Sequence, residues 1–274
     1  MPRSGRVAAI QMVSGSDVAA NLSEAETLVG AAVDQGATLV LLPENFGLMS
    51  PRIADKLAAR EPDGSGPQQD FLARMAAVHQ VYILGGSVPL ASGDPERAFQ
   101  SLLVYAPGGQ RVSRYDKIHL FRFTHGDEQY DEARTIMPGD TPELFDSPLG
   151  NVGLSICYDV RLPELYRSYE NLTLIVVPAA FTERTGQAHW EILLRARAIE
   201  NQCYVLAAAQ AGEHEGGRRT FGHSMLVDPW GEVIARLGTG PGVLIGDLDA
   251  MRIADVRARL PVLESRRAGM GNRA

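Results

Sequence analysis

Cysteine and lysine are both scarce in this sequence of 274 residues, which holds Cys157 and Cys203, Lys56 and Lys117, against 24 arginines. Two thiols in so long a chain exclude a disulfide scaffold and point to a reducing compartment, so the expected location is cytoplasmic. Long hydrophobic runs are missing as well. Leu174 to Phe181 (LIVVPAAF) is among the longest and falls far short of the roughly 20 residues needed to span a bilayer, so no membrane partner is expected. The opening MPRSGRVAAIQM is basic but lacks the longer apolar stretch of a secretory signal. Positive charge is in deficit, with 26 basic against 33 acidic residues and a net charge of −7. That balance disfavours a phosphate backbone, and no nucleic-acid partner is expected.

What remains is an ordinary globular composition, 45% hydrophobic and 22% charged, in a chain long enough to bury a core without staples. Short apolar runs alternate with segments of helical period, the pattern of an α/β fold. Strands are predicted at 6–12, 39–42, 82–88, 152–156, 174–177, 204–208 and 243–247. Hairpins are predicted across Pro107-Gly108-Gly109 and Pro229-Trp230-Gly231. Helices are predicted over 22–35, opened by Asn21 with Glu24 as a capping-box variant, and over 67–79, 164–169, 187–202 and 251–259. No linker-like stretch and no internal repeat divides the chain, which reads as one domain over 1–274.

The strongest chemical signal is Gly153-Leu-Ser-Ile-Cys157-Tyr-Asp-Val-Arg161, where a thiol stands between the end of a buried strand and the start of a helix. Ligands bind at strand ends in α/β sheets, and a helix amino terminus presents free N–H groups that favour thiolate and can hold an oxyanion. Cysteine is also a common core residue, and Cys203 keeps that plainer role. No histidine has a clear claim to act as base for the thiol. Glu44, in LLPENF directly after a buried strand, is a carboxylate that could serve, and an apolar rim would raise its proton affinity. Lys117, in YDKIHLF just beyond a strand, could stabilise negative charge on a reacting carbonyl or could be a solvated surface cation.

The segments LLPENF, YDKIHLF and GLSICYDVRLPEL, in this order, resemble the catalytic signature of the nitrilase (carbon-nitrogen hydrolase) superfamily. The likeness continues through GQAHWEILLRARAIENQCYV and FGHSMLVDPWGEV and so covers nearly the whole chain. It implies a four-layer α-β-β-α sandwich and a homodimer or higher homo-oligomer formed partly through the helix that begins near Arg161. It makes Cys157 the nucleophile, Glu44 the general base and Lys117 the oxyanion stabiliser, with the backbone N–H of Tyr158 as second donor. It also makes Glu132, shortly before Pro138-Gly139, a second glutamate that orients the amide and holds Lys117. The chain departs from the usual pattern here, with Arg122 after LF and extra acidic residues in His125-Gly-Asp-Glu128.

Within the superfamily the likeness is to the small amidases that include deaminated glutathione amidases and omega-amidases. The resemblance therefore implies hydrolysis of a small linear amide bearing a carboxylate, through a Cys thioester and with no cofactor or metal. Deaminated glutathione, split into 2-oxoglutarate and cysteinylglycine, is the expected substrate, and 2-oxoglutaramate the alternative. Arg161, Arg184 and Arg134 are candidates for the substrate carboxylate, because guanidinium forks match carboxylates. Phe181 is a further substrate-binding candidate; Trp190 and Trp230 read as packing residues, although His189-Trp190, shortly after the strand-end segment Ala179-Ala-Phe181, could border the pocket. Readings of a different class also stand, a non-catalytic binding subunit or a redox-sensing thiol on the same fold. His119, His125, Asp127 and Glu128 match no zinc spacing and read as a loop. The glycines of 237–242 make no dinucleotide motif, and the arginine-bearing tail from Ser265 reads as a solvated end or an oligomer contact.

Overall fold

Buried strands here are apolar on both faces, and that pattern requires covering layers on each side of a sheet. The structure, a computed structural model, describes residues 4–126 and 128–266. Its first half contains β1 (Gly5–Gln11), α1 (Val18–Asp34), β2 (Leu39–Leu41), α2 (Ile53–Ala58), α3 (Pro67–His79), β3 (Tyr82–Leu84), β4 (Val88–Ala91), β5 (Ala98–Tyr105), β6 (Arg111–Asp116), β7 (Arg122–His125) and β8 (Glu128–Asp131). There follow β9 (Leu144–Ser147), β10 (Gly150–Leu154), α4 (Pro163–Arg167), β11 (Leu172–Ala179), α5 (Glu183–Asn201) and β12 (Tyr204–Ala209). The chain continues with β13 (Ala211–Glu213), β14 (Arg219–Phe221), β15 (Met225–Val227), β16 (Val233–Arg236), β17 (Gly242–Leu248) and α6 (Ala250–Arg259).

One sheet runs β17-β1-β2-β3-β5-β4 with β6 also paired to β5, and the other runs β16-β15-β12-β11-β10-β9. Alternation along each strand divides its side chains between two faces. Val7, Ala9, Leu39, Leu41, Leu102 and Val104 of the first sheet share one core with Val152, Leu154, Leu174, Val176 and Leu206 of the second. Ala8, Ile10, Val40, Ile83 and Leu103 turn the other way, onto Val29 and Ala32 of α1 and Phe71, Leu72 and Met75 of α3. On the far side of the second sheet, Trp190, Leu194 and Ala198 of α5 and Tyr166 of α4 join the core. The layers are therefore α-β-β-α, as the resemblance implies. Each fully buried aliphatic in these layers contributes roughly 1.5–3 kcal/mol.

Three sequence expectations need adjustment. Helix α1 starts one turn before Asn21, because Asp17 caps it by accepting from the Ala20 N–H at 3.2 Å. Asn21 instead lies inside the helix and ties the Gly15 N–H (2.9 Å) and Gly47 carbonyl (3.0 Å) to it. The single strand expected over 82–88 is broken at Gly85-Gly86, since Gly86 has φ +38° and a Cβ there would overlap the Pro43 carbonyl. Helix α5 starts at Glu183 rather than Gln187, capped by Thr182, which accepts from the Thr185 N–H. Among the described residues no helix is long and apolar enough to cross a membrane.

Candidate active site

Each of the three segments singled out in the sequence leaves a strand and turns toward the same place. Glu44 follows β2 on a loop fixed by buried amides and hydroxyls. The Asn45 N–H donates to Ser87 Oγ at 2.8 Å, and Gln100 Nε2 donates to Asn45 Oδ1 at 2.8 Å. Gln210 Nε2 donates to the Glu44 carbonyl at 3.1 Å. Lys117 follows β6 directly, its N–H bonded to the Gln100 carbonyl at 2.9 Å and its carbonyl accepting from the Gly139 N–H at 2.9 Å.

Cys157 follows β10 and opens a short 3-10 turn, Cys157–Arg161, with its own φ at +50°. That left-handed geometry is costly for a residue with a Cβ and must be held by its surroundings. Asp159, fully buried, supplies the hold. Its carboxylate accepts from the Ile156 N–H (2.8 Å), the His119 N–H (3.0 Å) and the Tyr115 hydroxyl (2.7 Å), and His119 Nδ1 lies 2.8 Å away. The first bond of the turn runs from the Asp159 N–H to the Ile156 carbonyl at 3.1 Å, which leaves the Tyr158 N–H outside the helical ladder.

The side chains converge in a buried cluster. Lys117 Nζ, with no solvent exposure, lies 2.8 Å from Glu44 Oε1 and 2.8 and 3.0 Å from the two carboxylate oxygens of Glu132. Glu132 also accepts from the Phe121 N–H at 2.7 Å, so the hairpin of β7 and β8 is clamped onto the lysine. Glu44 Oε2 accepts from the Ala180 N–H at 2.8 Å, and Cys157 lines the same pocket as the Glu44 carboxylate.

The electrostatics correct two sequence expectations. Burial alone would raise the Glu44 pKa, but the charge and hydrogen bond of Lys117 outweigh it and hold the carboxyl below its ordinary value of 4.5. The Cys157 thiol is pushed well above its ordinary 9.0 by burial and by the Glu44 and Glu132 carboxylates, with Lys117 opposing them. The turn therefore does not favour thiolate at rest. Burial lowers Lys117, but Glu132 and Glu44 together keep its ammonium well above 10.5. The resting site is an ionised carboxylate, a charged ammonium and a neutral thiol.

A narrow pocket opens onto this cluster, lined by Glu44, Glu132, Cys157, Tyr158, Arg161 and Phe181 with Phe121, Ala180, Thr182, Thr185 and Arg218. The Arg161 guanidinium stacks 4.9 Å from the Phe181 ring and 5.7 Å from that of Tyr158, and its Nη1 lies 3.2 Å from His189 Nδ1. Trp190 packs on Phe181 from behind at 4.8 Å, and Trp230 is half-exposed on its turn. Of the other arginine candidates, Arg184 lines an outer groove and Arg134 is exposed and lines neither space. His119 is engaged with Asp159 and His125 stacks on Phe123, while Asp127 and the tail beyond 266 lie outside the described residues. Thr182, Thr185 and Arg218 were not legible beforehand. Arg218 sits in a Gly-rich turn far along the chain from the three motifs, and only the pairing of β13 with β14 brings it to the pocket.

Fold and site together define a hydrolase on a two-sheet α/β frame, with a thiol, a carboxylate and an ammonium at one pocket. The chain belongs to the carbon-nitrogen hydrolase family, whose model matches residues 6–258. It is 44% identical over 265 residues to the deaminated glutathione amidase of Synechocystis sp., covering 94% of this chain and 97% of that protein. It is 37% identical to omega-amidase NIT2 of Mus musculus, over 97% and 96% of the two chains. Saccharomyces cerevisiae Nit3, of the nitrilase superfamily, superposes with a TM-score of 0.87 at 28% identity, over 97% of both chains. A mutant amidase from Nesterenkonia sp. AN1 superposes at 0.81 with 27% identity, over 97% and 95% of the chains. It carries the acetamide moiety of fluoroacetamide covalently on its active-site cysteine.

Proposed function

We propose that this chain hydrolyses deaminated glutathione to 2-oxoglutarate and cysteinylglycine through a thioester on Cys157. The carrying observation is the contact of Lys117 with both Glu44 and Glu132 beside a buried thiol, at the foot of a pocket bearing Arg161. Glu44, ionised at rest, takes the thiol proton as Cys157 Sγ attacks the amide carbonyl carbon, because a neutral thiol of high pKa needs its base in the same step. The oxyanion is held by Lys117 Nζ and the Tyr158 N–H. Glu44 returns the proton to the amide nitrogen as the carbon-nitrogen bond breaks, leaving an acyl thioester and a free amine. A water then gives a proton to Glu44 and its oxygen to the acyl carbon, and the sulfur leaves and recovers that proton. Glu132 keeps Lys117 charged and in place, and Arg161 binds the carboxylate of the acyl portion.

The resemblance of the Synechocystis relative favours deaminated glutathione, and that of the mouse relative favours 2-oxoglutaramate as the alternative. Rates of 2-oxoglutarate release from the two compounds decide between them. We expect the higher kcat/KM for deaminated glutathione, and a clear preference for 2-oxoglutaramate would assign the omega-amidase reading. Intact mass after brief mixing with substrate should show an acyl adduct on Cys157. Oxygen adducts under peroxide, with no acyl adduct, would favour a redox sensor. We further propose a cytoplasmic homodimer. Its support is the pair of free buried thiols and the apolar side chains left exposed on the face of α5 and β16, Ile192, Ile199 and Ile234.

A further inference from the structure

Arg218 lies at the border between two spaces. It lines the catalytic pocket, and with Thr182 it also lines an open groove of about 670 Å³ outside that pocket. Its guanidinium lies over the Tyr130 ring at 5.3 Å and donates through Nη2 to the Ala180 carbonyl at 3.2 Å. Its Nε is buried with no hydrogen-bond partner, and among the described residues no carboxylate pairs with it. An arginine on a pocket wall with no carboxylate of its own can pair with an anionic ligand through its terminal nitrogens. Arg218 and Arg219 both line the groove beyond, and Glu183, which also lines it, is paired to Arg219 at 3.0 Å.

We infer that this groove is the leaving-group subsite and that Arg218 reads a free carboxylate on the departing amine. The inference rests on the amidase reading above and narrows it to amides whose leaving group is an amino acid or dipeptide with a free carboxyl end. Arg161, stacked on Phe181 and Tyr158, is assigned to the acyl carboxylate, so Arg218 remains for a second one. Two residues of extended chain span about 7 Å, and Arg218 and Thr182 line both the pocket and the groove, so a dipeptide leaving the pocket passes along them. An arginine fork suits that end group, since it donates to both carboxylate oxygens at once.

The test compares deaminated glutathione with its C-terminal carboxamide, which keeps shape and loses charge. Wild-type protein should prefer the carboxylate roughly 10- to 100-fold in kcat/KM, the range for one charge-assisted hydrogen-bonded contact. In Arg218→Ala that preference should collapse toward parity, and Arg218→Gln, which keeps the bulk, should collapse it too. A preference that survives both substitutions, or is absent in wild-type protein, overturns the inference. The carboxylate-to-carboxamide ratio would not move if Arg218 only supported the fold, because both substrates would lose rate together. Wild-type turnover of 2-oxoglutaramate with neither peptide hydrolysed overturns the subsite together with the choice of deaminated glutathione and leaves the omega-amidase alternative, whereas no amide hydrolysis at all removes the amidase reading itself.

Discussion

At the scale of single residues, the protonation pattern of the cluster sets the chemistry. Glu44→Gln and Lys117→Ala should each lower kcat by about a hundredfold or more, the usual cost of removing a base or an oxyanion donor. Cys157→Ala should abolish both turnover and the acyl adduct. The pH dependence follows from the shifts. Glu44 is depressed below 4.5, so the rate should hold as pH falls and drop only under that value, where the base protonates. Cys157 is raised above 9.0, so no thiolate-driven rise in rate is expected near neutrality. A kcat/KM profile with a limb near pH 7 would contradict this assignment. The same groups affect stability. The Glu44 contribution is present above 4.5 and lost as pH falls through its folded value, and that of Lys117 is present below 10.5 and lost as pH rises through its own. Glu44 and Cys157 were legible because each stands just past a buried strand, whereas Lys117, after the largely exposed β6, was assigned by the resemblance of YDKIHLF. The direction of the Glu44 shift was not legible, because burial and Lys117 oppose each other and only their distance decides which prevails.

At the scale of elements, two joints hold those residues in place. The break between β3 and β4 exists because Gly86 presses against the Pro43 carbonyl, one residue before Glu44. Gly86→Ala should therefore displace the base as well as strain the backbone. The expected result is a loss of at least about 1–3 kcal/mol by urea denaturation together with a fall in kcat. The second joint is Asp159, on which three N–H or O–H donors and an imidazole converge from two segments. Asp159→Ala should cost more than about 3 kcal/mol and release Cys157 from its left-handed conformation. Tyr115→Phe should cost less, since a single donor is lost. The strands and the long helices were readable from hydrophobic periodicity. The exact start of α1 was not, because Asp17 and Asn21 are both good caps one turn apart. The β7–β8 hairpin that delivers Glu132 carries no alternating apolar pattern, with three of its first four side chains exposed, and so gave no strand signal.

At the scale of the whole molecule, the layer class was visible in the alternation of strands and helices, whereas the order of strands was not. Pairing of β1 with β17 joins segments more than two hundred residues apart, and nothing local encodes it. The proposed homodimer belongs to this scale. Ile192 is 70% and Ile199 46% exposed on α5, so Ile192→Glu combined with Ile199→Glu should lower the sedimentation coefficient toward that of a single chain if this face is the contact. An unchanged coefficient would place the contact elsewhere. The β1–β17 ladder, seven residue pairs from Gly5–Leu248 to Gln11–Gly242, also bears on biosynthesis. Strand β1 waits at an open sheet edge until β17, more than two hundred residues further on, has left the ribosome, so closing this ladder is a late event in folding.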